Sequence, residues 1–72
     1  MERSLYKMLV FFQDAALNRR EMFIDVREIA YMNKWDDRCD KRGYCQVYFK
    51  SGNSIDVLLD SYHELLGKWL SV

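Results

Sequence analysis

The run YCQVYFKSGNSIDVLLDSYHELLGKWL, residues 44–70, constrains this chain more than any other stretch. Residues 44–50 alternate along a pleat, with Cys45, Val47 and Phe49 on one face and Tyr44 and Tyr48 on the other, in the branched and aromatic types that strands favour. SGNS, residues 51–54, supplies a turn in which Gly52 and Asn53 accept positive φ. Ile55, Val57 and Leu59 then return on one face, with Ser54 and Asp56 opposite, which predicts a hairpin. A helix follows directly. Ser61 and Glu64 fit a capping box, with Asp60 as the competing N-cap. Tyr62, Leu65, Leu66, Trp69 and Leu70 form one apolar stripe, and Glu64 and Lys68 stand four apart on the wet side. A hairpin running into an amphipathic helix requires a sheet with that helix on one face.

The upstream half must supply the remaining strands. LYKMLVFFQ, residues 5–13, reads as a strand, because a helix would gather Leu5, Met8, Leu9 and Phe12 but leave Tyr6, Val10 and Phe11 outside. DAALNRRE becomes a connection with Asn18 at its turn. MFIDV and REIAYMNKW follow as a strand, a kink around residues 25–28, and a second strand. The expected fold is α+β: a small, mainly antiparallel β-sheet of four to five strands packed by one C-terminal α-helix, forming a single domain over residues 1–72. With 72 residues the chain is near the lower size at which one core sustains a fold, leaving little room for a catalytic cleft.

Composition narrows the partners. Lys+Arg and Asp+Glu both number 11, so the basic excess that phosphate-backbone binders draw on is missing. Two cysteines are too few for a secreted disulfide scaffold. The apolar run near the N-terminus is interrupted by Lys7, preceded by Glu2, and too short to span a bilayer. The expectation is a cytoplasmic chain with reduced thiols, no membrane association and no cofactor.

The succession FIDVREIAYM, CQVYFKSGNSIDV and SYHELLGKWL resembles the strand-turn-strand-helix tail of LytTR-type domains, in which a strand ending in I-x-Y precedes a hairpin and a short closing helix. The resemblance spans residues 23–70 and implies topology. LytTR-type domains bind DNA through loops rich in basic and polar residues. This chain has no charge surplus, so the resemblance informs topology more than function.

KWDDRCDKRGYC, residues 34–45, is the stretch densest in chemistry. Asp36, Arg38 and Asp40 have the spacing of a calcium loop, but Lys41 stands where glycine is needed and Val47 where a bidentate Glu belongs. Cys39, Cys45 and His63 are three candidate zinc ligands at unusual spacing, and a Cys39–Cys45 disulfide would need α-carbons about 6 Å apart in an oxidising setting. Arg42 to Phe49 agrees with the RNA-recognition-motif consensus at five positions, yet Gln46 replaces the second stacking aromatic and the two helices of that fold are missing. With three acidic and three basic residues from Asp36 to Arg42, the segment reads as a mobile charged loop rimming an interface, with no metal bound.

Ser61, His63 and Asp60 bring together the residue types of a hydrolytic triad, but adjacent helix positions do not converge as such a triad must. No catalytic residues are assigned. One short helix leaves a second sheet face with large side chains, and Phe11, Arg27, Met32, Trp35, Arg38, Arg42, Tyr44 and Tyr48 are the interface candidates, with Tyr6 beside them. Aromatics, Met and Arg are the types enriched at interface centres. The reading is a small non-catalytic regulatory protein that docks on a larger protein. By size and composition it compares with phage-type modulators of a host machine such as the transcription apparatus. Two alternatives stand beside it: a sequence-tolerant nucleic-acid binder using Tyr44, Tyr48 and nearby Arg and Lys, and a homodimer that buries the same face.

Overall fold

A computed structural model describes residues 6–72; Leu5, the first residue of the expected N-terminal strand, lies outside them. The elements are β1 (Lys7–Gln13), β2 (Arg19–Asp25), a 3-10 turn (Val26–Glu28), β3 (Ile29–Met32), α1 (Asp37–Arg42), β4 (Tyr44–Phe49), β5 (Ser54–Leu58) and α2 (Leu59–Leu70). All strand pairs are antiparallel, in the order β2-β1-β5-β4-β3. The α+β fold is therefore the one expected, with the N-terminal segment a strand and the kink before β3 a 3-10 turn.

The β1–β2 connection is shorter than its composition implies. The Asp14 carboxylate accepts the amides of Ala16 and Asn18, each at 2.9 Å, and the Asp14 amide reaches the Asn18 carbonyl at 3.0 Å. The connection is thus residues 14–18, and Arg19 already belongs to β2. The left-handed position falls on Leu17, with φ 65°, and not on Asn18.

Chain reach shows that the sheet is rolled. Five flat strands about 4.8 Å apart would separate β2 from β3 by about 19 Å. Only the 3-10 turn joins them, and four extended Cα steps span at most about 14 Å. The two edges must therefore curl toward each other. Met8, Val10, Ile24, Cys45, Val47 and Val57 face the inside of the roll, with Val26 and Ile29 from the turn and its exit; Tyr62 and Leu65 of α2 complete this core.

Several expectations are corrected. The charged stretch is not a loop: Asp37–Arg42 is helical, capped by the Asp36 carboxylate on the amides of Arg38 (3.0 Å) and Cys39 (3.1 Å). Gly43 ends the helix at φ 86°, its amide donating to the Cys39 carbonyl at 2.7 Å. The alternating charges conceal one inward residue, Cys39, which is buried. The capping box also fails. α2 starts at Leu59, with Leu58 as N-cap and no side-chain cap. Ser61 is instead buried against β1, and Asp60 pairs with Arg19. Tyr62 and Leu65 of the predicted stripe are buried, Leu66 and Trp69 pack partly on the core, and Leu70 is exposed. Among the described residues no ion pair joins Glu64 to Lys68.

Candidate interaction surface

Strand register sets the outer face of the roll. Pairing of Phe12 and Cys45 with Val57 turns those residues inward. Their alternates Phe11 on β1, Leu58 on β5 and Tyr44 on β4 then point outward, as do Leu9 on β1, Phe23 on β2, and the pair Tyr31–Tyr48 across β3 and β4. Phe11, Leu58 and Tyr44 are half-buried in one another's company, whereas Tyr31 is 52% exposed.

Guanidinium groups lie over this face. Arg19 sits 4.5 Å from the Phe11 ring centroid and Arg42 lies 5.0 Å from that of Tyr44; away from this face, at the 3-10 turn, Arg27 stacks at 4.2 Å on Tyr6. Such contacts hold a cation and a ring in one geometry. Tyr31 and Tyr48 are stacked, with centroids 4.4 Å apart and planes 17° from parallel. The Tyr48 hydroxyl donates to the Gln46 side-chain oxygen at 2.8 Å, so Tyr48 is fixed and Tyr31 presents the outer ring.

Beside Gln46 lies a polar cleft of about 400 Å³, lined by Asn33, Lys34, Asp36, Arg38, Cys39 and Arg42. Arg38 projects into solvent and bonds Asp36 at 3.2 Å, and an Arg42 amino group lies 3.5 Å from the Cys39 sulfur. The Asp36 carboxyl is held below its usual range, mainly because it accepts the Cys39 amide. Cys39 and Cys45 are both free and buried. The Cys45 thiol donates to the Asn33 carbonyl at 3.2 Å, and burial, reinforced by the neighbouring Cys39 thiol, pushes its pKa up to about 12.

The eight interface candidates do not share one surface. Phe11, Tyr44 and Tyr48 lie on the outer face with Arg42 at its border, and Arg38 borders the cleft. Met32 pairs with Val47 and faces inward. Trp35 packs on the helix side, 5.1 Å from the Tyr62 ring, with its indole N–H donating to Asp40 at 2.6 Å. Arg27 belongs to the 3-10 turn, where it bonds Asp25 at 2.7 Å. Tyr31, Leu9 and Phe23 join the outer face beyond the residues expected there. Tyr31 was readable in principle, because alternation back from an inward Met32 turns it outward.

The Ser61, His63 and Asp60 trio has other engagements: the serine hydroxyl binds the Phe11 amide, the aspartate binds Arg19, and His63 is exposed beside the Trp35 and Tyr62 rings. Among the described residues no group of three or more His, Cys, Asp or Glu is placed to hold a metal ion, and no helix is long and apolar enough to cross a membrane. In comparison with known proteins, no family model, curated protein or solved structure matches the chain.

Proposed function

We propose that this chain is a small non-catalytic regulatory module that docks on a larger protein through the outer face of its rolled sheet. The observation that carries the reading is the Tyr31–Tyr48 stack, a preorganised aromatic platform on a chain of zero formal net charge. Rigid tyrosines contribute contact area at little entropic cost, and Arg42 over Tyr44 adds the other residue type common at binding hot spots. Docking on a host macromolecular machine, with the transcription apparatus tested first, belongs to this proposal by size and composition alone. A LytTR-type topology for residues 23–70 belongs to this proposal, supported by the strand-turn-strand-helix pattern of the sequence.

Affinity capture from the source cell tests it, with Tyr31→Ala and Arg42→Ala as controls shown by circular dichroism to be folded. The expected result is a protein partner that wild type retains and both variants lose. Equal retention by wild type and variants would overturn the assignment of the face. Salt-sensitive binding to single-stranded nucleic acid that Tyr31→Ala abolishes would replace it with nucleic-acid recognition.

A further inference from the structure

The outer edge of β2 carries an unused ladder. β2 pairs with β1 through seven consecutive positions without a bulge and, among the described residues, has no strand on its other side. Two hydrogen bonds fix its orientation: the Val26 amide donates to the Tyr6 carbonyl at 2.8 Å, and the Asp14 amide to the Asn18 carbonyl at 3.0 Å. Antiparallel ladders alternate, so the even-numbered residues of β2 address β1, and Arg19, Glu21, Phe23 and Asp25 turn their amides and carbonyls outward. This edge is only partly protected: four of its seven residues, Arg19, Arg20, Glu21 and Asp25, are charged, but the other usual devices are missing from β2. It contains no proline and no lysine, Phe23 is 71% exposed on the outer face, and Met22 is 40% exposed on the inner one.

Beside the edge is a gap of about 390 Å³ where the roll does not close, lined by Met22, Ile24, Phe49 and Ile55 and bordered by Asp25 and Glu28. Its only charged lining groups are acidic. Asp25 is already paired with Arg27 within the chain, so the gap suits an extended strand with apolar side chains and a basic residue that shares the acidic end.

We infer that the occupant is a second copy of β2, paired antiparallel about a two-fold axis at Met22. A two-fold axis perpendicular to the sheet keeps inner and outer faces continuous, so residues facing each other must share parity. Centring on Glu21 sets that carboxylate against its own mate, and centring on Phe23 sets Glu21 against Asp25. Centring on Met22 places Arg19 opposite Asp25 and Glu21 opposite Phe23, with no like charges directly opposed. The same register aligns the outward amides and carbonyls of all four odd-numbered residues. It also delivers the second copy's Arg19 and Arg20 to the Asp25 and Glu28 end of the gap. Arg19 and Arg20 bond Asp60 and Asp14 within the chain, but their side chains are 57% and 61% exposed and free to share a second carboxylate. One strand pair covers less than the roughly 800 Å² per partner of a standard interface, so the dimer is weak and concentration-dependent.

Sedimentation equilibrium of the full chain from about 1 µM to about 1 mM, a range that brackets weak self-association, combined with Met22→Cys cross-linking, tests this. The expected result is a reversible monomer–dimer equilibrium that Phe23→Lys shifts at least tenfold toward monomer. Met22→Cys should form a disulfide-linked dimer under mild oxidation, while Lys41→Cys, on α1, does not. A monomer at every concentration, or equal cross-linking of the two cysteine variants, overturns the assignment. A monomer that instead binds an apolar peptide ending in arginine, with loss on Phe23→Lys, would give the edge to another protein's strand. The outer-face reading rests on Tyr31 and Arg42 and is unaffected by either result.

Discussion

The Phe11 amide donates to the Ser61 hydroxyl at 2.8 Å, across fifty residues of sequence. On β1 the odd-numbered amides face β5, and register places Leu58 opposite Phe11. Leu58 is the last residue of β5 and the N-cap of α2, and the β1–β5 ladder ends before it, so the serine hydroxyl stands in for the missing ladder partner. Ser61→Ala should leave a largely buried amide unsatisfied and cost about 1–3 kcal/mol, read from urea unfolding. Glu64→Ala, at the failed capping-box position, should change stability by less than about 0.5 kcal/mol.

Backbone sign separates two exposed positions. Gly43 stops α1 at φ 86°, and a Cβ there would meet nothing within 4 Å, so the penalty of Gly43→Ala is conformational alone, about 1 kcal/mol. Leu17 holds φ 65° with an exposed side chain. Leu17→Asn should stabilise by about 1 kcal/mol, since asparagine enters this region more readily. Thermal melts of the two variants should move in opposite directions.

Acid should destabilise the fold through its capping aspartates. Arg27, bonding through side chain and backbone, lowers Asp25 from 3.8 to about 2. Asp14 and Asp36 are lowered in the same direction, by Arg20 and by the Cys39 amide. A carboxyl with a depressed folded value contributes stability above its unfolded value and loses it as pH falls through the folded one. Stability should therefore decline between about pH 4 and about pH 2, where Asp25 titrates. Asp25→Asn should lower stability at neutral pH and make that decline shallower.

Alkali should act on the buried Cys45 thiol. Cys45 ionises near 12 when folded against 9.0 ordinarily, so its contribution is intact below pH 9 and is lost as pH rises toward 12. At pH 8 iodoacetamide should modify the native protein slowly and the urea-unfolded chain rapidly at both Cys39 and Cys45. Rapid native alkylation at Cys45 would contradict the enclosure described.

Much of the fold was legible because its signals are local. Alternation in residues 44–58 and the stripe from Tyr62 to Trp69 each report one element's buried side, and the structure keeps both. What was not legible depended on distant partners. Ser61 carries capping chemistry, but a β1 amide claims its hydroxyl first. Asp36 through Arg42 looked solvated because six charges surround one inward thiol, and only the cap and Gly43 reveal a helical turn. Trp35 and Met32 have interface composition, yet Tyr62 and Val47 hold them on the core side. Register across β3 and β4 brought Tyr31 to Tyr48, which no spacing within one strand announces.

The ladder between β1 and β5 has only two residue pairs, Phe12–Val57 and Gln13–Asp56. Each flanking hairpin can zip from its own turn, β1 with β2 and β4 with β5, whereas this joint must close a loop of over forty residues first. Assembly should therefore finish here, with α2 arriving at the same moment because it follows β5 without a spacer. Under tension or heat the joint becomes the parting line along which the two hairpins separate.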